Sequence, residues 1–342
     1  MGNFIRDFSQ PAPNLDDKSI LVTGGTGSFG RAFVRHVLAN HKPKRLIVFS
    51  RDEQKHFDMA QEFNPNDYPC MRYFIGDVRD YERLEMAMYD VDFVVHAAAM
   101  KHVPAAEYNP FECIRTNVHG AENVVRAALA NRVPRVIALS TDKACSPINL
   151  YGASKLASDK IIVAAINLRG DRGTRFSVVR YGNVIGSNGS VLPFFRRLLT
   201  QGTDHLPITD ERMTRFWITL EQGVHFVLSS GETMIGGEIF IPKIPSMKVI
   251  DLAAYLAPHL PTRIIGIRPG EKLHESMSTE DDARNMLEFD DRFIIEPELM
   301  FWNRQHYSGN GARSVPENFR YASNTNNEWL STAALERLLG QM

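Results

Sequence analysis

Charge of one sign, long apolar runs and paired cysteines are all missing from this chain. Its 342 residues carry a formal net charge of −1, with no basic tail and no block of like charge. Nucleic acid and the membrane surface are therefore poor partners. No apolar stretch approaches the roughly 18 residues that span a bilayer, and no secretory signal opens the chain, so a cytoplasmic protein is expected. The three cysteines, Cys70, Cys113 and Cys145, have no metal-ligand spacing. They read as thiols of a reducing compartment, and no metal is expected. Internal repeats and low-complexity tracts are absent too. The length suits one large domain, or a large and a smaller one.

What is present is alternation. Apolar strands and helical segments follow one another from about Lys18 to Asn188, which predicts an α/β, Rossmann-like, doubly wound parallel sheet. Residues 1–17 read as a poorly ordered N-terminal arm. Residues 18–190 form the expected dinucleotide-binding domain. Residues 191–342 form mainly a smaller C-terminal substrate-binding domain, with about 214–243 returning to the first.

The first strand, Ser19 to Thr23, runs into Gly24, Gly27, Ser28, Phe29 and Gly30, and a helical pattern follows. Strand, glycine turn and helix make a pyrophosphate site of backbone N–H groups at a helix N-terminus. The next strand, Arg45 to Phe49, ends in Ser50 and Arg51. A carboxylate commonly stands there to hold the ribose 2′-hydroxyl of NAD. A serine followed by a cation welcomes a 2′-phosphate instead, so NADP is the expected cofactor, with Asp52 and Glu53 as nearby carboxylates that fit NAD. Asp77 and Val78 end a third strand beside the adenine edge. Ala97 and Ala98 end a fourth, small enough for a flat cofactor to pass.

The densest chemistry lies in Ser140-Thr141-Asp142-Lys143 and Tyr151-Gly152-Ala153-Ser154-Lys155. The first group follows a buried apolar strand, Arg135 to Leu139, where open α/β sheets put their ligands. Tyr151 and Lys155 are four apart on one helix face. A tyrosine is a base near neutral pH only if its pKa falls, and a lysine one turn away plus a cationic nicotinamide would lower it. Each piece alone is commonplace. Together, downstream of a glycine fingerprint, they form a candidate catalytic site. Cys145 beside it reads as a small packing residue.

On these segments, and on His96-Ala-Ala-Ala-Met-Lys-His-Val-Pro104, Arg180-Tyr-Gly-Asn-Val184, Arg212-Met-Thr-Arg-Phe-Trp-Ile-Thr219 and Arg268-Pro-Gly-Glu-Lys-Leu-His-Glu275, the chain resembles the extended short-chain dehydrogenases/reductases. Within them it is similar, over nearly its whole length, to the soluble inverting UDP-N-acetylglucosamine 4,6-dehydratases of pseudaminic acid biosynthesis. Related sugar-nucleotide dehydratases carry Thr-Asp-Glu; here Thr141-Asp142-Lys143 puts an amine in the carboxylate's place, as in the inverting subgroup.

The resemblance implies a lyase that converts UDP-N-acetylglucosamine to UDP-2-acetamido-2,6-dideoxy-β-L-arabino-hex-4-ulose. It implies Tyr151, held by Lys155, as the base at the C4 hydroxyl, and Thr141 as a hydrogen-bond partner of that oxygen. Lys143 is the implied base at C5, its pKa lowered by Lys155 and the nicotinamide against Asp142. Asp142 is the acid for the leaving C6 hydroxyl. Asn183, Arg215 and Arg268 are candidates for the diphosphate or uridine, Glu271 for a ribose hydroxyl and Lys101 for the hexose. Asn117 is implied as a structural and relay residue. A homo-oligomer is implied, with a hexamer as one form. Two alternatives stand: a related inverting dehydratase/epimerase of capsular N-acetyl-L-fucosamine synthesis, and a non-catalytic NADP-binding regulator, a class that typically loses the Tyr-Lys pair kept here.

Overall fold

The computed structural model describes residues 5–170, 173–187, 189–298, 305–308 and 310–340. The first half alternates strictly: β1 (Ser19–Thr23), α1 (Ser28–Asn40), β2 (Arg45–Ser50), α2 (Glu53–Glu62), β3 (Met71–Ile75), α3 (Tyr81–Ala87), β4 (Phe93–His96). Helices α4 (Val103–Tyr108), α5 (Pro110–Ile114) and α6 (Gly120–Ala130) lead to β5 (Arg135–Thr141), α7 (Leu150–Ala164) and β6 (Arg175–Tyr181). Then come β7 (Asn183–Val184), α8 (Val191–Thr200), β8 (Leu206–Ile208), β9 (Thr214–Ile218), α9 (Leu220–Thr233), β10 (Ile239–Pro242), β11 (Ser246–Lys248), α10 (Val249–Leu256) and β12 (Thr262–Ile264). The chain closes with β13 (Met286–Glu288), β14 (Arg292–Ile295), α11 (Gln305–Ser308), β15 (Arg313–Ser314) and α12 (Thr332–Gly340).

Among the described residues, ten strands form one sheet in the order β15-β13-β14-β10-β6-β5-β4-β1-β2-β3. The seven from β3 to β10 are parallel. They read as continuous apolar runs because helices cover both faces; all five residues of β1 are buried. Strand order reverses between β1 and β4, and the crevice outside their C-terminal ends is where such sheets take ligands. The expected α/β Rossmann-like sheet is therefore present.

The return segment splits. Helix α9, opened by a capping box between Thr219 and Gln222, packs on α1, and β10 extends the sheet beside β6. Strand β9 instead joins β7 and β11 in a separate small sheet. Strands β13, β14 and β15 continue the main sheet antiparallel. They run two to four residues each, too short to carry a readable period. Beyond the sheet, two smaller apolar clusters bind α8, α10 and α12 together, around Trp217 and Leu335 in one and Phe195 and Ile208 in the other. No described helix is long and apolar enough to cross a membrane.

The arm, expected to be poorly ordered, is docked over residues 5–17. Arg6 makes paired 2.7 Å bonds to Glu328. Its carbonyl accepts from Gln222 Nε2. Phe8 is 3% exposed and meets Phe226 edge-on at 5.2 Å between ring centroids. Isolated polar residues hid this, because the partners lie more than 200 positions away. Phe8→Ala should destabilise the protein by about 3 kcal/mol, the usual loss for a buried phenylalanine, read as a lower midpoint in denaturant unfolding.

Candidate active site

The glycine turn fits a dinucleotide by exclusion of side chains. Gly24 has φ +65°, and a Cβ there would stand 2.9 Å from Ala98 Cα, blocking the crevice between β1 and β4. Gly30 lies one turn into α1, where a Cβ would stand 2.2 Å from Gly25 O, so it lets the helix close on the turn. Gly27 caps α1 with no side chain, leaving the helix N-terminus for an anion. Gly24, Gly27, Ser28 and Phe29 line a cleft of about 740 Å³.

Thr23 does not reach that cleft. It is fully buried, its hydroxyl bonded to His96 Nδ1 at 2.8 Å and accepting from Ala98 N at 3.2 Å. It therefore ties β1 to β4 beneath the cleft.

At the far end, Ser50, Arg51, Asp77 and Val78 line the same cleft, joined by Lys55. Asp52 lines the cleft too; its Oδ1 caps α2 by accepting from Lys55 N at 3.1 Å, and its Oδ2 pairs with Lys55 Nζ at 3.3 Å. Arg51 is exposed and 3.9 Å from Asp77, which is held more closely by Arg79 at 2.6 Å. Ala97 and Ala98 also line the cleft. Their loop is pinned by Asn117, which accepts from Met100 N at 2.8 Å and donates to Met100 O at 3.0 Å and Ser154 Oγ at 2.9 Å.

Thr141, Lys143, Tyr151 and Lys155 come together at the inner end of the cleft. Gly152 permits this: a Cβ there would stand 2.2 Å from Lys143 O, so any other residue would push α7 off the Asp142–Ala144 turn. Burial pushes the Tyr151 phenol up to about 12, against the pull of Lys143 and a hydrogen bond with Thr141. The cation acting on the phenol is thus Lys143, and without a cofactor the expected fall in pKa does not occur. Lys155, 3% exposed, is lowered by burial and supported by Asp159 one turn on.

One expected site residue lies beneath the cavities, and one expected charge shift is reversed. Asp142 has no exposed surface and lines neither cavity. Its Oδ1 accepts from Thr141 Oγ1 at 2.9 Å and Lys143 Nζ at 3.0 Å, while Oδ2 is buried without a partner. Lys143 was expected to have a lowered pKa. Burial does pull it down, yet Asp142 and Glu275 outweigh burial and Arg215, and the ammonium is held above the usual lysine value.

A second cavity of about 460 Å³ adjoins the first, sharing Lys101, His102 and Lys143. Asn183, Arg215, Arg268 and Glu271 all line it. Asn183 Oδ1 is buried and unpartnered. Arg268 is exposed at the rim, 3.7 Å from Glu271. Arg215 is less available than expected: it donates to the carbonyls of Thr214, Leu273 and Lys272 at 2.7, 3.1 and 2.9 Å. It braces the 271–275 segment as much as it faces the cavity. Sequence reasoning passed over Lys55, His102, Asn149 and Glu275. Asn149 caps α7 through Gly152 N at 2.7 Å and donates to Gly270 O at 2.7 Å. Its place just before Leu150 was a readable cap signal; His102 and Glu275 stood inside motifs already singled out, but like Lys55 they showed no neighbours until the fold assembled them.

The family described as polysaccharide biosynthesis protein matches residues 20–297. The chain is 58% identical over 330 residues to UDP-N-acetylglucosamine 4,6-dehydratase (inverting) of Campylobacter jejuni subsp. jejuni serotype O:2, covering 95% of this chain and 98% of that one. Among solved structures, Pen from Bacillus thuringiensis matches with TM-score 0.86 and 38% identity over 96% of this chain and 98% of that one. DesIV from Streptomyces venezuelae, a dTDP-glucose 4,6-dehydratase with NAD and TYD bound, matches with TM-score 0.65 and 26% identity over 75% and 86%.

The Tyr151 phenol offers a direct check. In cofactor-free protein it should titrate at about 12, read as the ultraviolet difference between wild type and Tyr151→Phe. A group raised above its ordinary value of 10.0 stabilises the fold fully below that value, and the contribution is lost as pH rises through the folded value. Bound oxidised nicotinamide should move the titration down.

Proposed function

The chain belongs to the polysaccharide biosynthesis protein family of extended short-chain dehydrogenases/reductases, and on that premise we propose that it is a C5-inverting 4,6-dehydratase of UDP-N-acetylglucosamine. The observation that carries the reading is Lys143, an amine standing beside Tyr151 at the junction of the two cavities. The Campylobacter jejuni relative, named for this reaction, supports it. The proposal extends to a place at the head of pseudaminic acid synthesis, and to a cytoplasmic homo-oligomer.

The cofactor proposed is NADP. A nicotinamide dinucleotide fits the glycine cradle, as the NAD in DesIV supports. Arg51, an exposed cation at the end of β2 beside Ser50, favours the 2′-phosphate, while Asp52 in the same cleft is engaged by its helix cap and by Lys55. When bound, NADP takes the hydride from C4 of the sugar and returns it to C6.

The chain's own groups do the rest. Tyr151 removes the C4 hydroxyl proton with Lys155 beneath it, and Thr141 hydrogen-bonds the same oxygen. The 4-ketone acidifies C5, whose proton Lys143 takes once its amine is neutral. Asp142 accepts from Thr141 and Lys143, so it acts as the acid only after the proton that Tyr151 took from the C4 hydroxyl reaches it through Thr141; that proton then goes to the C6 hydroxyl, which leaves as water. Being buried, it acts through Thr141, to which it is bonded. C5 is reprotonated on the opposite face. Asn183, Arg268 and Glu271 line the second cavity, where the UDP moiety sits in this reading.

Turnover of UDP-N-acetylglucosamine in deuterated water tests the proposal by NMR. The product should be a 6-deoxy-4-ketose with solvent deuterium at an inverted C5, its C6 hydride drawn from C4 of the same sugar. A retained C5 configuration, or a hexose with its 6-hydroxyl intact, would refute it. Lys143→Met should abolish C5 exchange and dehydration while cofactor stays bound.

For the cofactor, denatured holoprotein should release NADP(H), and Arg51→Asp should weaken its retention about tenfold, the scale of one exposed charge contact and its reversal. Release of NAD(H) alone would defeat the NADP assignment.

A further inference from the structure

We propose that Glu275 is the group that accepts the proton of the Lys143 ammonium, freeing the amine to take the proton from C5. The role acts through Lys143 and rests on the dehydratase reading.

The reading needs a neutral amine, whereas the two carboxylates beside Lys143 favour its ammonium form. Something within reach must take its proton. Nζ lies 3.0 Å from Asp142 Oδ1 and 3.4 Å from Glu275 Oε1, and these are the two carboxylates that face it. Each has one oxygen buried without a partner, Asp142 Oδ2 and Glu275 Oε2. A buried ionised carboxylate wants both oxygens satisfied, and leaving one orphaned is costly.

Of the two, Glu275 is the poorer anion. Asp142 also receives the Thr141 hydroxyl. Arg215 stands 3.8 Å from Glu275 through Nε, but its other donors are spent on backbone carbonyls and it is shared with Glu271 at 3.6 Å. Lys272 directs its ammonium to Cys145 O. Tyr151, the remaining ionisable neighbour of Lys143, is a neutral phenol in this state. Burial, reinforced by Asp142, raises Glu275 against the pull of Lys143, Arg215 and Lys272. Glu275 also lines the second cavity beside Lys143, which gives a proton placed on it a way out.

The step balances. One N–H bond of the ammonium breaks and one O–H bond forms on Glu275, so a charged pair becomes a neutral pair with nothing oxidised or reduced. The freed lone pair takes the C5 proton and restores the ammonium. C5 regains a proton from solvent, and Glu275 loses its own to solvent through the second cavity.

Glu275→Gln keeps the shape and removes the acceptor. In this variant C5 exchange and dehydration should fall about 100-fold, the scale of one acid–base group. Both should rise with pH where wild type is flat, since Lys143 must then lose its proton to solvent. Cofactor retention and C4 oxidation in a single turnover should be unchanged. A fixed counter-charge gives the opposite result: without it the Lys143 pKa falls, exchange matches or exceeds wild type, and the acid limb moves to lower pH. That outcome would overturn the proposal.

Glu275→Asp, as a second variant, should keep the wild-type pH dependence at a reduced rate. A rate in it that rises with pH as in Glu275→Gln would also overturn the proposal. Absence of C5 exchange in wild type would sink the dehydratase reading itself, and the proposal with it. Normal exchange in wild type with an unaffected Glu275→Gln removes only the role of Glu275.

Discussion

The ammonium of Lys143, held between the buried carboxylates of Asp142 and Glu275, ties the turn after β5 to the 268–275 segment, and the site depends on that contact. Asp142 follows β5 at the C-terminal end of a central strand, whereas Glu275 lies between β12 and β13, its backbone bonded to Ser323. Such a pair contributes little net stability, because desolvation offsets the attraction, yet losing one partner strands a buried charge. It therefore specifies geometry more than it adds strength. Neighbouring bonds run across the same seam: Asn149 to Gly270 O, and Lys272 to Cys145 O. The catalytic helix, the strand-end turn and the 268–275 segment are thereby set relative to one another.

The rest of the site depends on close backbone approach. Gly152 brings α7 against Lys143 O, as Gly30 brings α1 against Gly25 O. Both contacts occur at C-terminal ends of parallel strands, on either side of the strand-order reversal. One end of a single sheet thus offers bare N–H groups at the turn after β1 and, two strands further on at the end of β5, a phenol, an amine and a buried carboxylate. These groups are local to the C-terminal end of the sheet, and the second cavity adjoins them, sharing Lys101, His102 and Lys143 with the first.

Much of this was legible in the chain. The continuous apolar runs of β1, β2, β4 and β5, the glycines after β1 and the Tyr151–Lys155 spacing are local patterns whose physical meaning needs no distant partner. They determined by themselves a parallel Rossmann-like sheet, the position of its dinucleotide turn, and a tyrosine, a lysine and an aspartate-lysine pair near its edge. Tertiary structure decided what depends on residues far apart in sequence. It docked the arm through Arg6 and Glu328, drew three short strands into the main sheet, buried Asp142 out of both cavities and spent Arg215 on backbone carbonyls. Above all it brought Glu275 within 3.4 Å of Lys143, which reversed the expected direction of the lysine's pKa. Charge state is set by burial and by the sum of neighbouring charges, and both exist only once segments more than 130 residues apart have packed together.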